Sequence, residues 1–114
     1  MSELLNVFSG VKETTHNETT NVVRLIRNGE INAKIATYNY AFLEPGGRVE
    51  EHVHDDCIEY FFILSGLGTI YLNEESRHVK KGDFIQIDAT IRHSLENTGE
   101  DLFEFLTLRA ILDI

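Results

Sequence analysis

Three histidines and one glutamate have the residue types and the spacing of a metal site. His52 and His54 are separated by one residue, Glu59 follows a short acidic turn, and His93 begins a later apolar run. Successive residues of a β-strand point to opposite faces, so residues i and i+2 share a face. We therefore expect the imidazoles of His52 and His54 to project in the same direction.

The environment of Glu59 also indicates a cation. Glu59 opens the run Glu-Tyr-Phe-Phe-Ile-Leu, in which it shares a strand face with Phe61 and Ile63. A carboxylate at the end of an apolar face is costly unless something pairs with it, and a cation shared with His52 and His54 would do so. Three imidazoles and one carboxylate suit Fe, Mn, Ni, Cu or Zn and disfavour an all-oxygen calcium or magnesium site.

The elements that must position these residues are predicted to be strands. Turn signals recur at short intervals, with runs rich in Val, Ile, Leu, Tyr, Phe and Thr between them, which is typical of an all-β sandwich or barrel. The predicted strands are Val22 to Arg27, Ile31 to Leu43, Val49 to His54, Glu59 to Leu64, Gly68 to Asn73, Arg77 to Val79, Asp83 to Ile87, His93 to Glu96 and Leu102 to Ala110.

Two segments need separate predictions. The N-terminal residues are predicted to form a short helix or strand at Leu4 to Phe8, followed by a polar loop from Lys12 to Asn21. The long run from Ile31 to Leu43 has no cleanly polar face. Either this strand is half-buried on both sides, as at a dimer contact, or a bulge switches its faces.

The first cluster of residues resembles the first motif of the cupins. That motif has a glycine, the pair His-x-His, a glutamate and a second glycine at set intervals. Gly46, His52, His54, Glu59 and Gly66 occupy all of its fixed positions.

The second cupin motif is matched in part. Gly82, His93 and Asn97 occupy motif positions, whereas Asp88 stands where the family usually has Pro and Thr90 where it usually has Gly. Both departures lie in the turn before His93, so they change how that turn is built and bear on the pose of His93. They remove no ligand.

The resemblance is to small single-domain members of the RmlC-like cupin superfamily, of the cupin 2 conserved barrel type. It implies an all-β fold, an antiparallel double-stranded β-helix or jelly-roll barrel. We expect a single domain over residues 1–114, with a barrel core at about 40–110 and an N-terminal arm at 1–21. The resemblance also implies a metal held by His52, His54, Glu59 and His93, and a homodimer.

The composition of the chain restricts the kinds of partner that it can bind. Ten basic and nineteen acidic residues among 114 give a formal net charge of -9. This charge disfavours binding to nucleic acid or to an anionic membrane surface. The N-terminus has no basic and apolar signal pattern, and no apolar run approaches the roughly 20 residues of a membrane helix, so we expect a cytoplasmic protein.

Other residues have weaker functional interpretations. The single cysteine, Cys57, is either a redox-active or ligating thiol or a small buried hydrophobe. Arg48, Arg92 and Tyr38 or Tyr40 could contact an anionic substrate near the barrel mouth, or they could be structural. The apolar wall of the site is predicted to consist of Phe61, Ile63, Ile85, Ile87, Phe103 and Phe105.

Three functions remain open from the sequence. The first is a small metal-dependent enzyme that acts on a small organic molecule, by dioxygenase-like oxidation or by isomerisation, with the metal as Lewis acid or oxygen-binding centre. The second is a module that uses the metal to bind or sense a small molecule without turning it over. The third is a structural or storage protein with a vestigial site, which the intact ligand set argues against.

Overall fold

The strands follow the predicted pattern. The computed structural model describes residue 8 and residues 11–15, 20–27 and 34–112. Its strands are β1 Lys12–Thr15, β2 Thr20–Ile26, β3 Ile35–Leu43, β4 Arg48–His52, β5 Cys57–Ser65, β6 Leu67–Leu72, β7 Glu75–Lys80, β8 Phe84–Ile87, β9 His93–Asn97 and β10 Phe103–Ile111. All nine predicted strands are confirmed with shifted ends. Most of Leu4 to Phe8 and the start of the Ile31 strand lie outside the described residues.

The strands form two antiparallel sheets. The order is β1-β2-β3-β10-β5-β8 in the six-stranded sheet and β4-β9-β6-β7 in the four-stranded sheet. Every pairing is antiparallel. This arrangement is the jelly-roll barrel, or double-stranded β-helix, that the sequence predicted. In the part of the chain that the structure describes, no helix is long and apolar enough to cross a membrane.

The polar loop predicted from Lys12 to Asn21 was wrong at its two ends. Residues 12–15 form β1, which pairs with β2 in a register that places Lys12 opposite Val23 and Thr15 opposite Thr20. The segment Lys-Glu-Thr-Thr has no apolar alternation that would mark a strand. At the edge of a sheet, backbone hydrogen bonds to a neighbouring strand are sufficient to hold such a segment.

The main core lies between the two sheets. Along β5, buried residues alternate with more exposed ones, so that Glu59, Phe61 and Ile63 share the inward face as predicted. Buried apolar side chains from both sheets meet there: Val22, Ala41, Leu43, Val49, Phe61, Ile63, Ile70, Val79, Ile87, Leu95, Phe103 and Phe105.

Strand β3 is buried on both faces and also carries a bulge, whereas the dimer contact offered from the sequence stays a prediction. Thr37, Asn39 and Ala41 face the interior, whereas Tyr40 and Phe42 belong to a second apolar cluster on the outside of the six-stranded sheet. Within the chain, the ring of Phe8 contacts Tyr40, and the ammonium group of Lys12 lies over Phe42. A register shift against β10 adds a bulge near the start of β3.

Candidate metal centre

The four predicted ligands lie together at one end of the barrel. His52 is the last residue of β4, Glu59 lies early in β5, and His93 is the first residue of β9. His52 and His93 face each other across the β4–β9 pair. One ligand atom from each of these residues and from His54 lies within 4.8 Å of the other three. The structure therefore brings all four predicted residues to one point.

His54 arrives there by a different route from the one predicted. Strand β4 ends at His52, so the prediction that His54 continues the same strand was wrong. The backbone N–H of Thr90 donates a hydrogen bond of 2.7 Å to the carbonyl oxygen of His54. The turn before His93 thus holds the segment that carries His54, and the two motifs are joined directly.

One oxygen of Glu59 is the focus of the cluster. The Oε1 atom lies 2.8 Å from Nε2 of His93, 3.5 Å from Nε2 of His52 and 3.6 Å from Nε2 of His54. Glu59 and His93 are buried, whereas His52 and His54 are partly exposed. Four ligand atoms therefore converge at the inner edge of an accessible opening.

Backbone carbonyls set the orientation of two of the imidazoles. Nδ1 of His52 lies 2.8 Å from the carbonyl oxygen of Glu50, and Nδ1 of His93 lies 2.9 Å from that of Ile91. A carbonyl oxygen only accepts hydrogen bonds, so Nδ1 must be the donor in each ring. When the imidazoles are neutral, their Nε2 lone pairs point into the cluster. Such carbonyl partners commonly orient metal-binding histidines.

The electrostatics of the cluster favour a charged carboxylate. Burial raises the pKa of Glu59, but hydrogen bonds from His52, His54 and His93 outweigh it and hold the pKa well below its usual range. Burial lowers the pKa of His52, but its contacts with Glu59 and the Glu50 carbonyl outweigh burial and raise it overall. The result is an anion ringed by imidazoles, a set whose protons a divalent cation can replace.

The donor chemistry fits one divalent transition metal. Imidazole nitrogens with a single carboxylate suit Fe, Mn, Ni, Cu or Zn, and the arrangement leaves room for further ligands on the open side. Cys57 is not among the four converging residues. It is 2% exposed, and burial is the main cause of the raised pKa of its thiol. These observations favour the buried-hydrophobe interpretation of Cys57.

A cavity of about 210 Å³ opens beside the four residues. Its lining includes six polar side chains that the sequence analysis did not select: Thr20, Arg24, Thr37, Asn39, Thr107 and Arg109. All of them lie on the inward face of the six-stranded sheet. The sequence contained a signal for them, because polar residues occupy inward positions in strands whose neighbouring inward residues are apolar.

The strand register arranges this lining in rows. The first row runs from Glu59 to Arg109 and Thr37. The second row, one step deeper, consists of Phe61, Thr107, Asn39 and Arg24, and the third consists of Ile63, Phe105, Ala41 and Val22. From the first row to the third, the cavity lining therefore changes from polar to apolar. Thr20 follows beyond the third row on the same face of β2 as Val22, and its hydroxyl group donates a hydrogen bond of 3.3 Å to the carbonyl oxygen of Arg48.

The earlier candidates for contact with an anion lie elsewhere. Arg92 is half-exposed and pairs with Glu51 and Glu74. Arg48 begins β4, at the end of that strand away from His52, and Tyr38 and Tyr40 lie on the outer face of β3. None of these four residues lines the cavity beside the candidate metal centre, which favours their structural interpretation.

The predicted apolar wall is correct in part. Phe61 and Phe105 line the cavity. Ile63, Ile87 and Phe103 are buried in the core between the sheets, and Ile85 packs against that core.

A family comparison decides the classification. The family model described as "Cupin domain" matches residues 39–109. The chain belongs to the cupin family. Cupins commonly bind a metal, and the four converging residues of this cupin form the candidate site.

Individual relatives agree with this assignment. An oxalate-binding protein of Thermotoga maritima is 37% identical over 70 residues, which are 61% of this chain and 58% of that protein. The chain thus spans little more than half of the length of this curated relative.

Solved structures share the fold. The crystal structure of a protein described as a predicted oxalate decarboxylase from Thermotoga maritima has a TM-score of 0.89 and 26% identity, covering 96% of this chain and 100% of that chain. A cupin 2 conserved barrel domain protein from Salinispora arenicola has a TM-score of 0.80 at 17% identity, covering 96% of this chain and 89% of that chain. The latter likeness concerns the fold alone.

Proposed function

We propose that His52, His54, Glu59 and His93 hold one divalent transition metal, and that this cupin uses it to bind a small organic carboxylate. The observation that carries the proposal is the convergence of three imidazole Nε2 atoms on one oxygen of Glu59, within 2.8 to 3.6 Å. A bound metal would supply Lewis-acid character and open coordination positions on the cavity side.

The charge of the cavity supports a carboxylate ligand. The chain as a whole is acidic, yet Arg24 and Arg109 both line this cavity. Arg24 also pairs through its Nε atom with Glu13 at 3.5 Å, so Arg109 is the main candidate to meet a carboxylate. Arginine presents a planar set of donors that matches a carboxylate and remains charged at all working pH values. The oxalate-binding relative from Thermotoga maritima is consistent with this ligand class. Oxalate is therefore the first carboxylate to test.

Binding without turnover is favoured over acid–base catalysis. Among the described lining residues, the titratable groups are the proposed ligands His52, His54 and Glu59, together with Arg24 and Arg109. An arginine does not give up its proton in this environment, so it cannot serve as a general base. An isomerisation that moves protons between carbon atoms would therefore lack a side chain to carry them, apart from the proposed ligands.

Oxidation of the bound carboxylate at the metal is the second candidate. In this reaction oxalate and dioxygen would take up two protons from solvent and give two molecules of carbon dioxide and one of hydrogen peroxide. The apolar part of the cavity, which includes Phe61 and Phe105, would restrict water. Oxygen uptake in the presence of iron- or manganese-loaded protein and oxalate distinguishes the two functions. Binding without oxygen consumption or loss of oxalate supports the binding function, whereas stoichiometric uptake supports oxidation.

The direct test of the proposal is calorimetric. We expect oxalate to bind to metal-loaded protein and not to protein stripped with a chelator. Arg109→Met should weaken oxalate binding at least tenfold, because a hydrogen bond to a charged group contributes about 1.5–3 kcal/mol. Arg92→Met removes a half-exposed arginine outside the cavity and should leave binding unchanged. Equal oxalate affinity of stripped and loaded protein would refute a role for the metal.

The homodimer predicted from the sequence is also proposed here. Large apolar side chains are exposed on the outside of the six-stranded sheet, with Phe62 41% and Phe84 61% exposed. They flank an apolar groove that also includes Tyr38, Tyr60 and Leu108. A second copy packed on this patch would remove it from water. Light scattering at micromolar concentration should give twice the chain mass; a monomer would contradict this assignment.

A further inference from the structure

The deep part of the cavity has no role in holding oxalate. Oxalate is polar at both ends, and its carboxylates match the proposed metal and the arginines of the first two rows. The third row presents only carbon to the cavity, through Phe105, Ala41 and Val22. Each of these three side chains is 4% exposed or less, so this end of the cavity is enclosed.

The position of Ala41 creates the space there. Its neighbours along the inward face of β3 are Asn39 toward the mouth and Leu43 toward the core, both of them larger. Across the sheet, Ala41 lies between Phe105 and Val22. Because Ala41 is smaller than its neighbours, the cavity extends to it, and we call the surface of Ala41, Phe105 and Val22 the recess.

The distances suit a ligand with two chemically different ends. Successive rows are two residues apart along a strand, which is about 7 Å. A head group beside Arg24 and Asn39 in the second row is thus one row away from the carbon-only surface. The cavity of about 210 Å³ is roughly seven times the volume that a water molecule occupies in the liquid. It has room for a short carbon chain beyond the head group.

We propose that the ligand is a chelating carboxylate with a short apolar side chain, such as a 2-oxo acid, whose side chain lies against Phe105, Ala41 and Val22. This inference rests on the proposed function, because the proposed metal and the arginines hold the carboxylate end. It goes beyond the proposed function because it assigns recognition of the ligand's side chain to the third row. Because the three side chains of the third row that line the cavity are apolar, they discriminate between ligands by chain length.

The test is a series of ligands that differ by single carbon atoms. Protein loaded with Zn²⁺, which has no redox chemistry, is titrated calorimetrically with glyoxylate, pyruvate, 2-oxobutanoate, 2-oxopentanoate and 4-methyl-2-oxopentanoate, with oxalate as the reference. Burying one CH₂ group contributes about 0.8 kcal/mol, so each added carbon should tighten binding about fourfold until the recess is full.

Two variants locate the side chain of the ligand. Ala41→Val narrows the recess and should shift the preferred chain length down by one or two carbons. Should Ala41→Val not fold, Val22→Ile narrows the same row from the neighbouring strand and should give the same shift. Leu67→Ala changes an exposed apolar residue elsewhere and should leave the ranking unaltered.

The outcomes separate this inference from the proposed function. Binding of oxalate or glyoxylate with affinity that is flat or falls with chain length overturns the inference and leaves the proposed function standing. The absence of binding by any of these carboxylates overturns the proposed function as well. The same affinities and the same chain-length dependence in metal-stripped protein would show that the metal does not hold the carboxylate end and would also overturn the inference.

Discussion

The two ends of the barrel contrast in how their polar groups are satisfied. At the ligand end, formed by His52, His54, Glu59 and His93, one carboxylate oxygen meets three imidazoles. At the turn end, Asn97 donates from Nδ2 to the carbonyl oxygens of Leu43 and Asp101, and its Oδ1 accepts from the N–H of Gly99.

Both ends come from the same two motifs. The first motif runs from Gly46 at the turn end to Glu59 at the ligand end and back to Gly66 at the turn end. The second motif contributes His93 to the ligand end and Asn97 to the turn end. The backbone of Asn97 also pairs with the loop of Gly46 and Gly47. The comparison teaches that a motif can divide its residues between binding and stability, since a strand carries side chains to both of its ends.

The largest effect should follow the loss of a proposed ligand. His54→Ala should lower the affinity for Zn²⁺ at least 100-fold, because even outer-shell changes cost about 10- to 100-fold. The site is partly exposed, so the fold should persist. Metal content after dialysis measures the effect. The control is His78→Ala, which removes an exposed histidine outside the cluster. Retention of stoichiometric zinc by His54→Ala would contradict the assignment of metal binding to the ligand end.

At the turn end we expect the reverse result, a loss of stability without a loss of zinc binding. Asn97→Ala should reduce the free energy of unfolding by about 3 kcal/mol, because it leaves the buried carbonyl of Leu43 and its neighbours without their donor. Urea unfolding of metal-stripped protein measures the loss. The folded fraction should still bind zinc with unchanged stoichiometry. Gln86→Ala, at an exposed position, serves as the control for stability.

Two glycines at the turn end differ in the space around them, which sharpens the comparison. Gly66 and Gly46 both have a positive φ, at 91° and 82°. A Cβ atom at Gly66 would lie 2.5 Å from the carbonyl oxygen of Leu102, whereas one at Gly46 would meet nothing within 4 Å. Gly46→Ala should cost about 1 kcal/mol from its backbone conformation, and Gly66→Ala at least twice as much. Equal unfolding midpoints would contradict the role of the close contact.

The dependence of stability on pH should report the ligand end. The raised pKa of His52 adds stability below its ordinary value of 6.5, and this is lost as the pH rises through the folded pKa. The lowered pKa of Glu59 adds stability above its ordinary value of 4.5, and this is lost as the pH falls through the folded pKa. In metal-stripped protein, the two groups should thus add most to the free energy of unfolding between pH 4.5 and 6.5. Glu59→Gln should flatten this profile in urea titrations.

The smallest effect concerns the turn that delivers His93. Thr90 has φ 74°, which is unfavourable for a β-branched residue, and it stands where the cupin motif usually has glycine. Thr90→Gly should raise the free energy of unfolding by up to about 1 kcal/mol, since relief of strain exceeds the entropy cost of glycine. Differential scanning calorimetry measures the change. A lower melting temperature would show that the threonine side chain stabilises the turn.

Two features could be predicted from the sequence for a local reason: the convergence of His52, His54, Glu59 and His93, and the inward face of β5. Alternation within one strand places Glu59 with Phe61 and Ile63, and the motif spacing marks the histidines. The unusual residues Asp88 and Thr90 did not displace His93, because its ring is held by the Ile91 carbonyl and by Glu59.

Only the tertiary structure decided which side chains surround these four residues. Arg109 became a neighbour of Glu59, and Arg24 a neighbour of Asn39, through the register of strands distant in the chain. Local patterns carry no information about such register. They also cannot reveal β1, whose polar residues are strand only because β2 lies beside them. The sequence by itself determined which residues converge, because the spacing within each motif is local, while the cavity beside them depended on cross-strand pairing, which is not.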